Sequence, residues 1–266
     1  MGRGISMVKR RSTGRKGAPG GDRSYLVVKM IRNRSEPGRD VVVVFDLDGT
    51  LTERDTSLPF VAHAIGARRL AVIVAARSPL FLVDLLGATR QEAVGPGLLG
   101  GVWHRWGSDV HRRILDGAFR GAPREKLVRR GNQFAHEELD DFVTPEAVAQ
   151  LRWHQAQGHL CVLASASLGV YVEPWAERMG FDHAVATSLA FDREGHFSGR
   201  FDPEPCWGTE KLRRVQHVVG SLEDSTLVVY GNARGDAALL AAADVPVLIR
   251  GASAWTEVAA EVRGAL

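Results

Sequence analysis

Residues 41–45, Val-Val-Val-Val-Phe, constrain the fold more than any other stretch. The run is too short for a typical helix and suits a strand that is buried on both faces. Asp46 and Asp48 follow at once, and Gly49 permits a turn at the carboxyl end of the strand, where open α/β sheets bind their ligands. Two acids at this spacing imply a bound cation, a shared proton or open water. We therefore expect a functional site at the end of this strand.

Composition describes an ordinary globular chain with a basic amino terminus. At 266 residues the chain can form one large core, or a core with an inserted domain. The net charge of +3 is uneven: residues 1–40 contain 11 Lys or Arg against 3 Asp or Glu, and the remaining 226 contain 23 against 28. The mildly acidic body argues against a specific nucleic-acid-binding domain, although the sequence pI is about 9.1.

Several features predict a cytoplasmic protein. The two cysteines, Cys161 and Cys206, are too few for a disulfide framework or a zinc site. The most apolar stretch, residues 70–86, is interrupted by charged residues and a proline, and the basic amino terminus lacks the apolar segment of a secretory signal. We interpret residues 1–39 as a basic, disordered tail. Weak contact of this tail or of apolar helices with a membrane surface remains open, and nothing in the sequence specifies an oligomeric state.

Residues 53–143 have a different pattern, with apolar residues at helical spacing and no clear strand signal. We interpret them as a helical cap inserted after the first strand, with a Gly-rich turn at residues 95–101. The four large polar or aromatic residues in its second half are interpreted as packing residues of the cap and not as ligands; they are Trp103, His104, Trp106 and His111.

From Thr144 onwards, strand and helix signals alternate. Thr144 is the predicted N-cap of a helix that begins with Pro145 and ends at Gly158. A buried strand is predicted over residues 159–164, and a β-hairpin over residues 191–201. Thr209 is predicted to cap a later helix. The alternation predicts a doubly wound, mainly parallel sheet built from residues 40–52 and 144–266.

Polar residues stand just past the predicted strand ends or at a helix start, in the order Asp46 and Asp48, Ser165, Lys211, Asn232 and Asp236. The strand-end residues share one edge of a parallel sheet, so they can converge on one pocket. With this order and spacing, residues 41–250 resemble the haloacid dehalogenase superfamily of phosphohydrolases. The helical insertion is similar to the cap of subfamily IB, which includes the phosphoserine phosphatases. Four segments resemble its phosphatidylglycerophosphatase C-like branch: Thr-Glu-Arg-Asp-Thr at 52–56, Ser-Ala-Ser at 165–167, Glu-Pro-Trp at 173–175 and Gly-Thr-Glu-Lys at 208–211.

The resemblance implies a Mg²⁺-dependent phosphatase that hydrolyses a phosphomonoester. Asp46 is expected to attack phosphorus and form an aspartyl-phosphate. Asp48 is expected to protonate the leaving oxygen and then to deprotonate water. Mg²⁺ is expected among Asp46, the backbone carbonyl of Asp48, Asn232 and Asp236.

The remaining implied roles concern the phosphate and the substrate. The Ser165 hydroxyl and the Lys211 ammonium are expected to bind the phosphoryl group, and Lys211 also to neutralise charge on Asp46. Gly49, Thr50 and Ala166 are candidates for backbone N–H donors. Arg54 and Asp55 are candidates for substrate selection, and the substrate is expected to be a small phosphorylated metabolite or a lipid phosphate.

One residue departs from the pattern of these relatives. Asn232 stands where most of them have Asp, so a neutral amide oxygen replaces a carboxylate and metal affinity is expected to be lower. Three alternatives to the general phosphatase stay open: a phosphoserine phosphatase, a lipid-phosphate phosphatase, and a non-catalytic protein that binds phosphate or a partner. Against the first, the phosphoserine phosphatases have Ser-Gly-Gly where this chain has Ser-Ala-Ser, and Asp55 is shorter than the Glu by which they recognise the substrate amine.

Overall fold

The computed structural model describes residues 40–77, 111–202, 204–220, 222, 225–232, 234–251 and 254–266. The basic tail, the Gly-rich turn, Trp103, His104 and Trp106 lie outside the described residues. The strands are β1 (Asp40–Phe45), β2 (Leu160–Leu168), β3 (His183–Thr187), β4 (Leu189–Phe191), β5 (Phe197–Phe201), β6 (Ser225–Gly231) and β7 (Val245–Leu248).

The helices are α1 (Ser57–Ile65), α2 (Ala67–Arg77), α3 (residues 111–119), α4 (Arg124–Glu137), α5 (Pro145–Ala156), α6 (Gly169–Arg178), α7 (Thr209–Val219), α8 (Ala237–Ala242) and α9 (Ala254–Arg263). Short 3-10 turns cover Leu139–Phe142 and Arg234–Asp236. A tight turn over Leu47–Leu51 follows β1 directly.

Five strands form one parallel sheet in the order β3-β2-β1-β6-β7, and β4 and β5 form a separate antiparallel pair. The predicted doubly wound α/β fold is confirmed. β1 is central, with β2 on one side and β6 on the other, because its uninterrupted apolar run can be buried on both faces. Asp46 and Asp48, which follow β1, therefore emerge from the middle of the sheet.

The two faces of the sheet belong to two separate apolar clusters. Alternate residues of β1 divide between them, with Val43 and Phe45 in one and Val42 and Val44 in the other. The second cluster includes Val215 of α7, so this helix packs against that face of the sheet. Packing on both sides explains why the run shows no alternation of polar and apolar residues.

The first cluster extends without interruption into the helices between β1 and β2. Phe60 of α1 and Phe134 of α4 are fully buried in it, and both pack against Tyr171 of α6. These helices thus share a core with the sheet, and their separation as a cap domain stays a prediction. No single helix within the described ranges is long and apolar enough to cross a membrane, and the bent pair α1–α2 passes on length and composition alone.

Two predicted boundaries are wrong. β2 runs on to Leu168, because after a register shift it still pairs with Thr187 of β3; Ser165 and Ala166 therefore lie inside the strand and not beyond its end. Gly208 occupies the N-cap of α7 and Thr209 is its first residue. Thr144 does precede α5, but its side chain makes no capping hydrogen bond.

Candidate active site

Asp46 emerges at the point where the central strand leaves the sheet. Phe45 lies in register between Leu163 of β2 and Tyr230 of β6, and the N–H of Asp46 donates to the Tyr230 carbonyl at 2.9 Å. Asp46 is only 7% exposed. Ser165 and Asn232 each lie two positions beyond the residues paired with Phe45, which brings both strands' polar residues to the same edge.

Lys211 of α7 joins two of the predicted carboxylates. Its Nζ donates to Asp46 Oδ1 at 2.8 Å and to Asp236 Oδ1 at 2.6 Å. All three side chains are buried. A buried ammonium between two buried acids is stable only as part of such an ion-pair cluster, because removing any one partner leaves charge unpaired.

The charges around Asp46 shift its proton equilibrium. Burial, with further contributions from the charges of Asp236 and Asp48, raises the pKa of Asp46 to about 7, although Lys211 opposes the shift. Burial acts to lower the pKa of Lys211, but the charges of Asp46 and Asp236 outweigh it and raise that pKa above its usual range. Lys211 is thus a permanent cation here. A further positive charge beside Asp46 would favour the ionised, nucleophilic form of the Asp46 carboxyl.

The turn after β1 supports the first carboxylate. Thr50 Oγ1 donates to Asp46 Oδ2 at 3.0 Å, and the side chain of Thr52 accepts from the N–H of Gly49 at 3.2 Å. Gly49 adopts a φ of +73°, and a Cβ at this position would lie 2.1 Å from Nδ2 of Asn232. Both the backbone conformation and the close approach require glycine.

Asp48 is held separately from Asp46. Its Oδ1 accepts from the N–H and the hydroxyl of Thr56 at 2.7 and 2.6 Å, and its Oδ2 accepts from the Ser167 hydroxyl at 2.5 Å. Burial and the charge of Asp55 raise the pKa of Asp48 to about 6, against the effect of these hydrogen bonds. A pKa near neutrality suits a group that gives and takes a proton.

Ser165 and Ala166 lie on β2 beside this pair. Ser165 is fully buried, and its Oγ accepts from the N–H of Ser167 at 3.0 Å, which leaves its hydroxyl hydrogen to be donated elsewhere. Ala166 is exposed, and its carbonyl accepts from the Thr187 hydroxyl at 2.6 Å. The strand therefore presents a hydroxyl group and an accessible backbone segment at the predicted phosphate-binding edge.

The loop after β6 reaches back to the first turn. Nδ2 of Asn232 donates to the backbone carbonyl of Asp48 at 2.8 Å, and the N–H of Asn232 donates to Asp236 Oδ2 at 3.1 Å. This places the amide of Asn232 next to the carbonyl that the family resemblance assigns to the metal. The same contact explains the lack of room for a Cβ at Gly49.

The donor set at this edge fits Mg²⁺. No three His, Cys, Asp or Glu side chains within the described ranges form a metal cage of their own. Mg²⁺, however, is commonly bound by one or two carboxylates completed by water and substrate phosphate. The carboxylates of Asp46 and Asp236, the Asp48 carbonyl and the Asn232 amide oxygen are hard donors of this kind, brought together by the contacts among these segments.

Arg54 and Asp55, the residues predicted to select the substrate, contact different partners. The guanidinium of Arg54 lies 4.7 Å from the centre of the Phe142 ring, and Asp55 Oδ1 accepts from the N–H of Ser57 at 2.9 Å. The charge of Asp55 nevertheless acts on Asp48. On α3, His111 has a buried Nε2 that makes no hydrogen bond in the described part of the chain, and burial lowers its pKa while the charge of Asp48 opposes the shift.

Thr56, Ser167 and Tyr171 are the site residues that were not predicted. Thr56 and Ser167 lie in two segments that carry the family resemblance, Thr-Glu-Arg-Asp-Thr and Ser-Ala-Ser, so a signal was present without an assigned role. The sequence contained no signal for Tyr171, since a tyrosine at helical spacing is usually a packing residue.

The family model of haloacid dehalogenase-like hydrolases matches residues 43–241 of the chain. The match begins at Val43 within β1 and includes the acidic turn, Ser165, Lys211 and the Asn232–Asp236 loop. The chain belongs to the haloacid dehalogenase-like hydrolase family.

Individual relatives are distant. The chain is 28% identical to the protein CicA of Caulobacter vibrioides over 226 residues, covering 84% of this chain and 93% of that protein. A structure of a protein with unknown function from Bordetella pertussis Tohama I aligns with a TM-score of 0.56 and 22% identity, over 85% of this chain and 96% of that one. A phosphoserine phosphatase from T. onnurineus aligns with a TM-score of 0.47 and 20% identity, over 85% and 97%. The B. pertussis structure shows the shared fold.

Proposed function

We propose that this hydrolase is a Mg²⁺-dependent phosphatase that cleaves a phosphomonoester through an aspartyl-phosphate on Asp46. The observation that carries the proposal is the separate fixing of two neighbouring carboxyls: Asp46 is bound to Lys211 and Thr50, and Asp48 to Thr56 and Ser167. A nucleophile needs neighbouring positive charge, whereas an acid–base group needs a pKa near neutrality.

The reaction has two displacements. A carboxylate oxygen of Asp46 bonds to phosphorus while the P–O bond to the alcohol breaks and Asp48 gives its proton to the departing oxygen. Water then bonds to phosphorus while the bond to Asp46 breaks, and Asp48 takes a proton from that water. Lys211 stabilises negative charge in both steps, and the Ser165 hydroxyl is available to donate to a phosphoryl oxygen.

Mg²⁺, when bound, would offset negative charge on the phosphoryl group and on Asp46. Asp46, the Asp48 carbonyl, Asn232 and Asp236 are the residues that would hold it. The branch within the family, a cytoplasmic location and a small phosphorylated metabolite as substrate are part of the same proposal. Lipid phosphates and phosphoserine are alternative substrates of the same chemistry.

The test combines turnover with detection of the intermediate. Hydrolysis of p-nitrophenyl phosphate by the full chain with Mg²⁺ should stop on adding EDTA and in Asp46→Asn. Rapid acid quenching followed by peptide mass spectrometry should place one phosphoryl group on the peptide containing Asp46. A panel of phosphorylated metabolites and lipid phosphates, with Asp46→Asn as blank, then identifies the substrate. Turnover that persists without metal would overturn the proposal.

One observation favours a second candidate, a non-catalytic phosphate-binding protein. The Asn232 amide stands in place of a carboxylate, and it donates to the Asp48 carbonyl, one of the groups that would hold the metal. Calorimetric binding of a phosphate analogue, together with the absence of turnover over the whole panel, would support this alternative.

A further inference from the structure

The carboxyl of Asp48 is the end point of two hydroxyl chains. Thr56 Oγ1 lies 3.0 Å from the hydroxyl of Tyr171, and Ser167 Oγ lies 3.0 Å from the hydroxyl of Ser57. Since Thr56 and Ser167 donate to the ionised Asp48, they must accept from Tyr171 and Ser57. The donors therefore run from Tyr171 through Thr56 to Oδ1, and from Ser57 through Ser167 to Oδ2.

The chains link two parts of the fold. Thr56 and Ser57 lie at the start of α1, whereas Ser167 and Tyr171 lie at the end of β2 and in α6. All four side chains are buried, with exposed fractions of 4% or less. The hydroxyls of Thr56 and Ser167 are thus each fixed by neighbours on both sides, and hydrogen bonds in such chains reinforce one another in a low-dielectric interior.

Without these contacts the carboxyl would be free to turn. The terminal torsion of an aspartate is broad, so the side chain alone does not select one direction. Contacts to both oxygens, from opposite elements, hold the carboxyl plane in place. Ser167 distinguishes this chain from the phosphoserine phosphatases, which have glycine at the third position of this segment.

We propose that Ser167 and Tyr171 are positioning residues that hold the Asp48 carboxyl against the leaving-group oxygen. The inference rests on the proposed function. General acid catalysis requires the acid within hydrogen-bond reach of the oxygen that it protonates. Loss of positioning should therefore slow esters in proportion to how much their leaving group needs a proton.

Aryl phosphates of graded leaving-group basicity test this directly. We would measure kcat and KM of the full chain with Mg²⁺ for p-nitrophenyl, phenyl and p-methoxyphenyl phosphate. Ser167→Ala and Tyr171→Phe should lose roughly ten- to hundredfold in kcat/KM on the two basic leaving groups, because kcat/KM reports departure of the leaving group and not the later hydrolysis of the aspartyl-phosphate. On p-nitrophenyl phosphate, whose phenolate leaves with little proton transfer, the loss should be several times smaller and KM should hardly change.

The controls separate positioning from folding. Ser167→Thr keeps the hydroxyl and should restore most of the activity on phenyl phosphate. Ser198→Ala removes a serine hydroxyl that donates to the Ala190 carbonyl in the β4–β5 pair, and should match wild type on every ester. Asp48→Asn gives the upper limit of leaving-group dependence. If Ser167→Ala does not fold, Tyr171→Phe still allows the dependence of activity on leaving-group basicity to be measured.

The outcomes are distinct. An equal loss of kcat/KM on all three esters in both variants would overturn the positioning role and leave the phosphatase intact. Wild-type protein that hydrolyses none of the esters would overturn the proposed function, and the inference with it. A steeper dependence on leaving-group basicity, restored by Ser167→Thr, is the result that supports the role.

Discussion

The ammonium of Lys211 lies 2.8 Å from Oδ1 of Asp46, although the two residues are 165 positions apart in the sequence. The same ammonium contacts Asp236 at 2.6 Å. One buried cation therefore connects the end of β1 to α7 and to the loop after β6. We expect both the proposed reactivity of Asp46 and the stability of this edge of the sheet to depend on this cation.

Lys211→Met should impair activity and stability together. It leaves Asp46 and Asp236 buried without their cation, which should destabilise the metal-free protein by about 3–5 kcal/mol. We expect kcat to fall by roughly 10²- to 10³-fold, as after removal of a charge-stabilising group. Urea unfolding with and without Mg²⁺ checks the first effect, and Mg²⁺ should recover part of the lost stability. Lys126→Met on the exposed face of α4 is the matched control. Wild-type activity in Lys211→Met would contradict the assignment.

Asn232→Asp should increase Mg²⁺ affinity and lower the stability of the metal-free protein. The variant loses the 2.8 Å hydrogen bond to the Asp48 carbonyl and adds negative charge beside Asp236. A carboxylate ligand should increase Mg²⁺ affinity by roughly tenfold, measured by calorimetry. Asn132→Asp makes the same change on the exposed face of α4 and should leave Mg²⁺ binding unaltered. An unchanged Mg²⁺ affinity in Asn232→Asp would show that this loop is not part of a metal site.

Gly49→Ala and Gly158→Ala separate backbone strain from close packing. Both glycines have φ of +73°, so each alanine should cost about 1–2 kcal/mol in this conformation. Only the Cβ at position 49 meets a neighbour, Nδ2 of Asn232 at 2.1 Å, while the one at 158 has open space. We expect Gly49→Ala alone to lose activity, by roughly a hundredfold from displaced site groups. Equal activity of the two variants in a steady-state assay would contradict this.

His154 should make the fold less stable in mild acid. Its ring is fully buried between Tyr230 and His159, and burial, together with the charges of His159 and Arg263, lowers its pKa to about 3. The unfolded chain binds a proton near pH 6.5 and the folded chain does not, so stability falls as pH drops from 6.5 towards 3. Between pH 7 and pH 5 this contribution amounts to about 2 kcal/mol.

Urea unfolding of His154→Gln at the two pH values isolates that contribution. The raised pKa values of Asp46 and Asp48 act in the opposite direction, since protonation on acidification relieves a buried charge, but they are common to both proteins. The pH-dependent loss should therefore be about 2 kcal/mol smaller in the variant. His217→Gln, on the exposed side of α7, should retain the wild-type dependence. An identical loss in His154→Gln would refute the prediction.

The boundaries of the strands show what the sequence pattern could and could not predict. The run at residues 41–45 predicted a buried central strand because burial on both faces removes the alternation of polar residues. The end of β2 was predicted four residues early, since the small polar segment Ser-Ala-Ser looks like a turn in the sequence. Pairing of Leu168 with Thr187 extends the strand, and no local property of the segment reveals that contact.

The sequence by itself determined the parallel sheet and the edge at which its polar residues meet, and it predicted Asp46 and Asp48 as the centre of the candidate site. Strand direction and the order of elements follow from hydrophobic periodicity, which is a local property. Only the tertiary structure decided that Asn232 bonds the Asp48 carbonyl, that Tyr171 and Ser167 support the Asp48 carboxyl, and that the inserted helices share a core with the sheet. The hydrogen bonds among these contacts join residues more than 100 positions apart, and all of the contacts depend on how the side chains pack once the chain has folded.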